Sequence, residues 1–347
     1  MRKGTVWLRR PRRQVDLYQI WFRTRGCTFD RAGQCSMCNY GTGPEIDPDT
    51  IAAAVETTLA RIPPGNLVYV SPSGSLFDER EVPPRLRLRI LRAVAARRPM
   101  AFTFETRPEL CTPGNIDNLL DLLPGTSVSC HLGVESWDED VRRLCHLKPA
   151  RQAAYTTAVR MLRSRRVAPI ANIALGGLGL SEHQAFLDAV ASVRGTRAAG
   201  FSIQMLFPLS SKRGTLLDWA GHRGLWSPPS LWTLVAALSA CVEEGLTEDG
   251  TGDLDISWFN PDIGNIVRAR PDGCPACRPM LIDTLRAFRL RPGPDALEAA
   301  VTWSGCSCRR RLAPDAPESS YRERLAEIVA RWEAEGDPSV ARLASAG

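Results

Sequence analysis

Between residues 15 and 207, short β-prone runs alternate with stretches of helical period, and this alternation constrains the fold more than any other feature of the chain. The β-prone runs are residues 17–22, 67–70, 101–105, 127–134, 170–175 and 201–207. Helix starts are legible between them. Asp47 and Pro48 supply an N-cap and an N1 proline ahead of the stripe Ile51, Val55, Leu59 and Ile62. Ser181 to Gln184 reads as a capping box before Phe186, Ala189, Val190 and Val193, and Tyr155, Ala158, Val159 and Leu162 form a third stripe. Six β-then-α units in series imply parallel strands with right-handed crossovers, either an open doubly wound sheet or a complete or partial barrel. The unusual residues fall at strand C-termini: a cysteine loop, then SPSGS (71–75), ETRPE (105–109), Glu135 and GGLG (176–179). That is the end at which barrels build their sites. The expectation is an α/β fold, a partial (β/α)6 TIM-type barrel over residues 15–215. A basic arm at residues 1–14 precedes it, and a smaller C-terminal lobe at 216–347 follows, with helices at 231–242, 280–289 and 321–332 and a strand at 254–259.

The longest apolar stretch, near residues 170–180, is too short and too glycine-rich to span a bilayer, so no membrane segment is expected. The N-terminus is charged without an apolar run behind it, which points to the cytoplasm rather than to secretion. Eleven cysteines in a reducing compartment read as metal ligands and buried thiols rather than disulfides. Seven fall into two groups, and Cys111, Cys130, Cys145 and Cys241 are scattered, as core thiols would be. The net charge of +6 is concentrated in residues 1–25, which hold eight basic residues against Asp16 alone. Such an arm suits the phosphates of a nucleotide or RNA; a solvated terminus is the plain alternative.

Cys27, Cys35 and Cys38 have the spacing C-x7-C-x2-C. Two thiolates three residues apart grip neighbouring irons of a cluster, a third reaches another corner, and one iron stays open. Gly26 and Gly33 let the backbone curl around a compact inorganic core. A zinc site short of one ligand, or three structural thiols, would show the same pattern. The second group, Cys274, Cys277, Cys306 and Cys308, supplies the four thiols of a closed tetrahedral zinc site. Buried thiols or a second iron-sulfur cluster are the alternatives there.

The ordered blocks FRTRGCTFDRAGQCSMCNYG, SPSGSLFDEREVP, FETRPEL and HLGVES, with GCPAC and GCSC near the C-terminus, resemble the radical S-adenosylmethionine (SAM) superfamily. Within it, they are most similar to the archaeosine-forming radical SAM lyases, relatives of the Elp3-like group. The resemblance implies a [4Fe-4S] cluster on Cys27, Cys35 and Cys38, whose open iron chelates SAM. It places Met37 over adenine and Ser73, Gly74 and Ser75 near the methionine amino group, although the usual GGE-like acid is not evident. It also assigns Glu135 to the ribose hydroxyls and Gly176 and Gly177 to a turn beside adenine. A flavodoxin or ferredoxin would supply the electron.

Glu105, His131 and Lys148 are candidate catalytic or substrate-contacting residues. A structural ion pair of Glu105 with Arg107 and a satisfied core histidine at 131 are the bland alternatives. The leading function is hydrogen abstraction from a nucleoside-containing substrate, a modified tRNA base undergoing C–N cleavage in the resembled family. A C–C bond-forming enzyme of tunicamycin-type nucleoside antibiotic assembly is the alternative, and a zinc-stabilised RNA-binding protein the non-enzymatic one.

Overall fold

The computed structural model describes residues 1–8, 13–41, 45–72, 74–247, 253–257, 267–313 and 320–335. Eight strands form one sheet in the order β1 (Arg2–Leu8), β2 (Arg13–Trp21), β3 (Leu67–Ser71), β4 (Ala101–Thr106), β5 (Ser127–Glu135), β6 (Ala168–Leu175), β7 (Ile203–Pro208) and β9 (Asp253–Ile256). A small antiparallel pair joins β8 (Ser211–Lys212) to β10 (Val267–Ala269). The pairs β2–β3, β3–β4, β4–β5 and β7–β9 are parallel, and β1 runs antiparallel to β2. The fold is α/β, a mostly parallel sheet of the partial TIM-barrel kind.

The six expected strands are all present, with ends shifted by a few residues. Two features were not foreseen. Residues 2–8, read as part of a basic arm, form the edge strand β1. The strand expected at 254–259 is β9, which extends the main sheet beside β7; residues 258 and 259 lie outside the described residues. Among the described residues no helix is long and apolar enough to cross a membrane.

Two compact units are distinguished: Met1–Arg31, Tyr40–Gly133 and Ala150–Ile170 in the first; Ala32–Asn39, Val134–Pro149 and Ala171–Gly347 in the second. In the first, strand register sorts side chains by the period of two. Tyr18, Val68, Phe102 and Val128 align across β2 to β5, as do Ile20, Val70, Phe104 and Cys130, and all eight are buried. The intervening positions carry Gln19, Tyr69, Thr103 and Ser129, then Trp21 beside Ser71 and Glu105 beside His131. One face is thus apolar and the other polar and aromatic. The helices contribute their apolar stripes to the core: Ile51, Val55 and Leu59 from Pro48–Leu59, and Tyr155, Ala158, Val159 and Leu162 from Gln152–Ser164. Asp47 caps the first of these by accepting from the Thr50 amide at 2.8 Å.

In the second unit, Ser181 and Gln184 close the expected capping box on the helix Glu182–Ala198. The helix Leu231–Glu243 buries Trp232, Leu234, Val235, Leu238 and Cys241. Its near-continuous apolar character, unlike a one-sided stripe, fits a helix covered on most of its circumference.

Candidate functional site

Cys27 belongs to the first unit, where β2 runs out into a tight loop. Its amide donates to the Tyr40 carbonyl at 3.1 Å, and Gly26 adopts φ +100°, the left-handed region where glycine costs least. The loop after β3 lies directly on this cysteine. A Cβ on Gly74 would stand 2.8 Å from the Cys27 Cβ, 2.9 Å from its Sγ and 2.5 Å from Oε2 of Glu81, so only glycine fits without a shift. Ser73 lies outside the described residues. The Ser75 amide donates to Glu81 at 2.8 Å, and its hydroxyl meets that of Thr106 at 2.6 Å.

Glu81 was not singled out from the sequence, yet it organises this loop. It accepts from the Ser75 amide and from the Thr24 hydroxyl at 3.0 Å. Burial pushes its carboxyl up to about 6. Asp78 accepts from Thr28 at 2.5 Å and Arg107 at 2.9 Å; burial works against its charge, but these partners outweigh burial and hold it below the usual range. Arg107 also pairs with Glu109 at 2.7 Å and lies over the Phe29 ring. The ion pair expected for Arg107 therefore goes to Asp78 and Glu109, not to Glu105.

Glu105 instead accepts from the hydroxyls of Tyr69 and, at 2.8 Å, Ser71. It lies opposite His131 in the β4–β5 register, and the His131 and Tyr69 ring centroids are 5.5 Å apart. Two of the sequence candidates thus share one face of the sheet.

Cys35 and Cys38 belong to the second unit, in a segment stitched to residues 145–147. The Cys35 amide donates to the Leu147 carbonyl at 3.2 Å and the Ser36 amide to the His146 carbonyl at 3.0 Å. The Ser36 hydroxyl donates to the Cys145 carbonyl at 2.9 Å. Cys35 sits at φ +68°, a conformation costly outside glycine that the bonds to residues 145–147 hold in place. Met37 is buried. The Cys38 thiol is held below its ordinary range, chiefly by a hydrogen bond with Cys35 and further by the charges of Lys212 and Lys148, against the opposing effect of burial.

Glu135 ends β5 at φ +61°, and Lys148 Nζ lies 2.6 Å from its Oε1. The expected ribose carboxylate and the expected candidate lysine are therefore partners. Gly176 takes φ +98° at the turn after β6. A Cβ on Gly177 would meet Leu180, Cys145 and His146 at 3.1–3.3 Å. His146, also not foreseen, is fully buried with no hydrogen-bond partner on either ring nitrogen among the described residues; burial pulls it down to about 4, leaving it neutral at physiological pH.

The second cysteine group is assembled within the second unit. The sulfurs of Cys274, Cys277, Cys306 and Cys308 all lie within 4.8 Å of one another, with Cys274 and Cys277 at 3.6 Å. Cys277 immediately precedes the helix Arg278–Leu290 and is buried. Gly273 leaves room for it, since a Cβ there would lie 2.8 Å from the Cys277 sulfur. The amide of Cys277 pulls the Cys274 thiol down to about 7, and that of Cys308 lowers Cys306. The buried indole N–H groups of Trp232 and Trp303 face Cys277 and Cys306. Thiols grouped this way are a metal-binding constellation.

No family model matches the chain. It is 26% identical over 303 residues to archaeosine synthase subunit beta of Methanosarcina acetivorans, covering 85% of this chain and 84% of that protein. An uncharacterized protein of Methanocaldococcus jannaschii is 24% identical over 254 residues, 67% of each chain. Among solved structures, the Elp3 of Methanocaldococcus infernus lacking its N-terminus superposes with a TM-score of 0.53 at 16% identity. The match covers 79% of this chain but spans only 64% of the Elp3 chain. In sequence the chain is thus similar to archaeosine synthase subunit beta over most of its length, and in fold to Elp3.

Proposed function

We propose that the protein is a radical SAM enzyme that holds a [4Fe-4S] cluster on Cys27, Cys35 and Cys38 and abstracts hydrogen from a nucleoside-containing substrate, a modified tRNA base being the favoured case. The observation that carries this is the similarity to an archaeosine synthase subunit along 85% of the chain. The donors suit the group: Gly74 gives up a side chain against Cys27, and Cys38 is biased toward thiolate. Once bound, the cluster would supply the electron that cleaves SAM to a 5'-deoxyadenosyl radical. The chain's own part is orientation. Glu135, fixed by Lys148, is the proposed acceptor for ribose hydroxyls; Gly74, Ser75 and Ser73 are assigned to the methionine amino group, Met37 and the turn at Gly176 and Gly177 to adenine. A flavodoxin or ferredoxin in the cytoplasm is the proposed reductant, and residues 15–215 the proposed catalytic core.

For the second cysteine group we propose a structural zinc ion. A tetrahedral site with Zn–S bonds of about 2.3 Å places its sulfurs roughly 3.8 Å apart, which matches a group whose members all lie within 4.8 Å. A cubane distributes its thiolates over different irons and holds them farther apart.

Anaerobically reconstituted protein is expected to be brown, to contain iron and sulfide, and to form 5'-deoxyadenosine from SAM under reduction. Colourless protein without SAM cleavage would support the RNA-binding alternative instead. tRNA should bind with a steep salt dependence, because each neutralised phosphate releases counterions. Absence of tRNA binding at low salt would favour a free nucleoside or sugar nucleotide, as in C–C bond-forming antibiotic assembly.

Gly74→Ala offers a sharper check on the SAM loop. The added methyl would meet Cys27 and Glu81 at 2.5–2.9 Å, so one of them must move. A displacement approaching 1 Å at a positioned ligand costs about a hundredfold in rate. We expect 5'-deoxyadenosine formation to fall by about that factor, with melting temperature little changed; unimpaired turnover would separate residue 74 from the site.

A further inference from the structure

Within the first unit, Glu105 differs from the carboxylates Asp78 and Glu56 in its partners and, like Glu81, is held without a cation among the described residues. Asp78 is paired with Arg107, and Glu56 with Arg89. Glu105, half-buried near the end of β4, is held by hydroxyls alone, those of Tyr69 and Ser71, and among the described residues no cation pairs with it. The closest cation along the chain, Arg107, is committed to Asp78 and Glu109 and stacked on Phe29. Burial pushes the Tyr69 phenol well above its ordinary range and the Glu105 charge adds to this, so Tyr69 stays protonated and acts as a fixed donor.

Rings share this face of the sheet with the carboxylate. His131 lies opposite Glu105 in the β4–β5 register, with its ring 5.5 Å from that of Tyr69 and tilted by 34°. Trp21, at the end of β2 and 44% exposed, meets Tyr69 edge-on at 6.2 Å. A half-buried anion without a counter-ion is complementary to an incoming positive charge, because the pair forms with part of the desolvation already met by the fold. Aromatic rings on the same sheet face add attraction for organic cations in particular, and a bare metal ion would find only one carboxylate here.

We propose that Glu105, Tyr69, His131 and Trp21 form a receptor for a positively charged nitrogen, an ammonium or amidinium group, carried by the substrate. The receptor rests on the radical SAM reading for its place in catalysis, but binding at it requires no electron transfer. Glu105 is then a substrate-binding residue, and Tyr69 and Ser71 position it by gripping both oxygens. SAM also carries an ammonium, so cofactor and substrate are two sources of the same chemistry, and the test must separate them.

Reconstituted protein saturated with SAM is titrated anaerobically with phenethylamine, benzamidine and the uncharged phenethyl alcohol, with binding followed by saturation-transfer NMR. Both cations should bind about tenfold or more tightly than the alcohol. Glu105→Gln, which preserves size and one acceptor, should erase that preference. Trp21→Ala alters a residue already exposed to solvent and should weaken both cations severalfold while leaving the melting curve in place. Should Glu105→Gln not fold, the cation preference of the parent protein and its reduction in Trp21→Ala still decide the matter. Equal binding of alcohol and amines would overturn the proposal, as would displacement of SAM by the amines, which would assign the carboxylate to the cofactor. Failure of the radical SAM reading would show itself separately, as absence of 5'-deoxyadenosine.

Discussion

Replacing any one of Cys27, Cys35 and Cys38 with Ala is expected to abolish reductive SAM cleavage, with 5'-deoxyadenosine at background and bound iron falling below four per chain. The reason is stoichiometric. A site-differentiated cluster uses three protein thiolates and keeps its fourth iron open for SAM, so the loss of one thiolate leaves no spare ligand. The protein should survive the change better than the cluster does. Cys27 and Cys38 are only partly buried and lie in loop segments held by backbone bonds, from the Cys27 amide to Tyr40 and from the Cys38 amide to Cys35. Cys35 is buried, so Ala there also leaves a small cavity, and Cys27→Ala and Cys38→Ala are the cleaner pair. Cys241→Ala is the control. That thiol is buried in the helix Leu231–Glu243, pushed up to about 12 by burial, and its loss should leave iron content and SAM cleavage intact. Parental iron content and SAM cleavage in all three loop variants would overturn the cluster assignment.

What could be read from the sequence was what local chemistry dictates. The Asp47 and Ser181 caps were legible because a cap is settled within four residues, and both are formed as read. The strand 67–70 was legible as a short continuous β-prone run, LVYV, and 101–105 by the alternation that puts Phe102 and Phe104 in the core and Thr103 and Glu105 on the other face. Strand β1 was hidden by its setting: the β-prone KGTVWL lies between arginines, and composition argued for an arm. The attachment of β9 beside β7 is a pairing across some 50 residues that no local pattern encodes. Partner choice was similarly out of reach. Arg107 lies two residues from Glu105 but bonds to Asp78, and Lys148 finds Glu135 across a helix. Glu81 would have drawn attention only through its place in an acidic run after SPSGS, a signal that solvated loops share. Buried His146 carried no signal at all, since nothing near it in sequence marks a lone histidine for burial.

Metal at the second cysteine group should prove separable from the first, and its loss should be felt in stability rather than in the chemistry of the loop. Purified protein is expected to hold one zinc per chain in addition to the iron. Cys277→Ala should lose the zinc, lower the melting temperature by on the order of ten degrees and reduce soluble yield, because zinc–thiolate binding energy is folding energy for the segments it joins. Those segments are the helix Arg278–Leu290, which follows Cys277 directly, and the turn at Cys308–Leu312, which begins at the last ligand. Cys277 alone does not isolate the metal, since its side chain is fully buried and Ala would also leave a small cavity. Cys274→Ala does isolate it: that thiol is only partly buried, its pKa is already drawn down to about 7 by the Cys277 amide, and its removal takes little packing with it. If metal is what stabilises this segment, Cys274→Ala should cost nearly as much as Cys277→Ala, and chelation of the parent protein should reproduce the loss without touching iron content. Lowering the pH should release the zinc as the thiolates protonate, the two thiols with depressed pKa values, Cys274 and Cys306, resisting longest. Metal analysis that found no zinc, or a second set of four irons with sulfide, would refute the zinc assignment. A Cys274→Ala variant as stable as the parent would refute the structural role even if zinc were present.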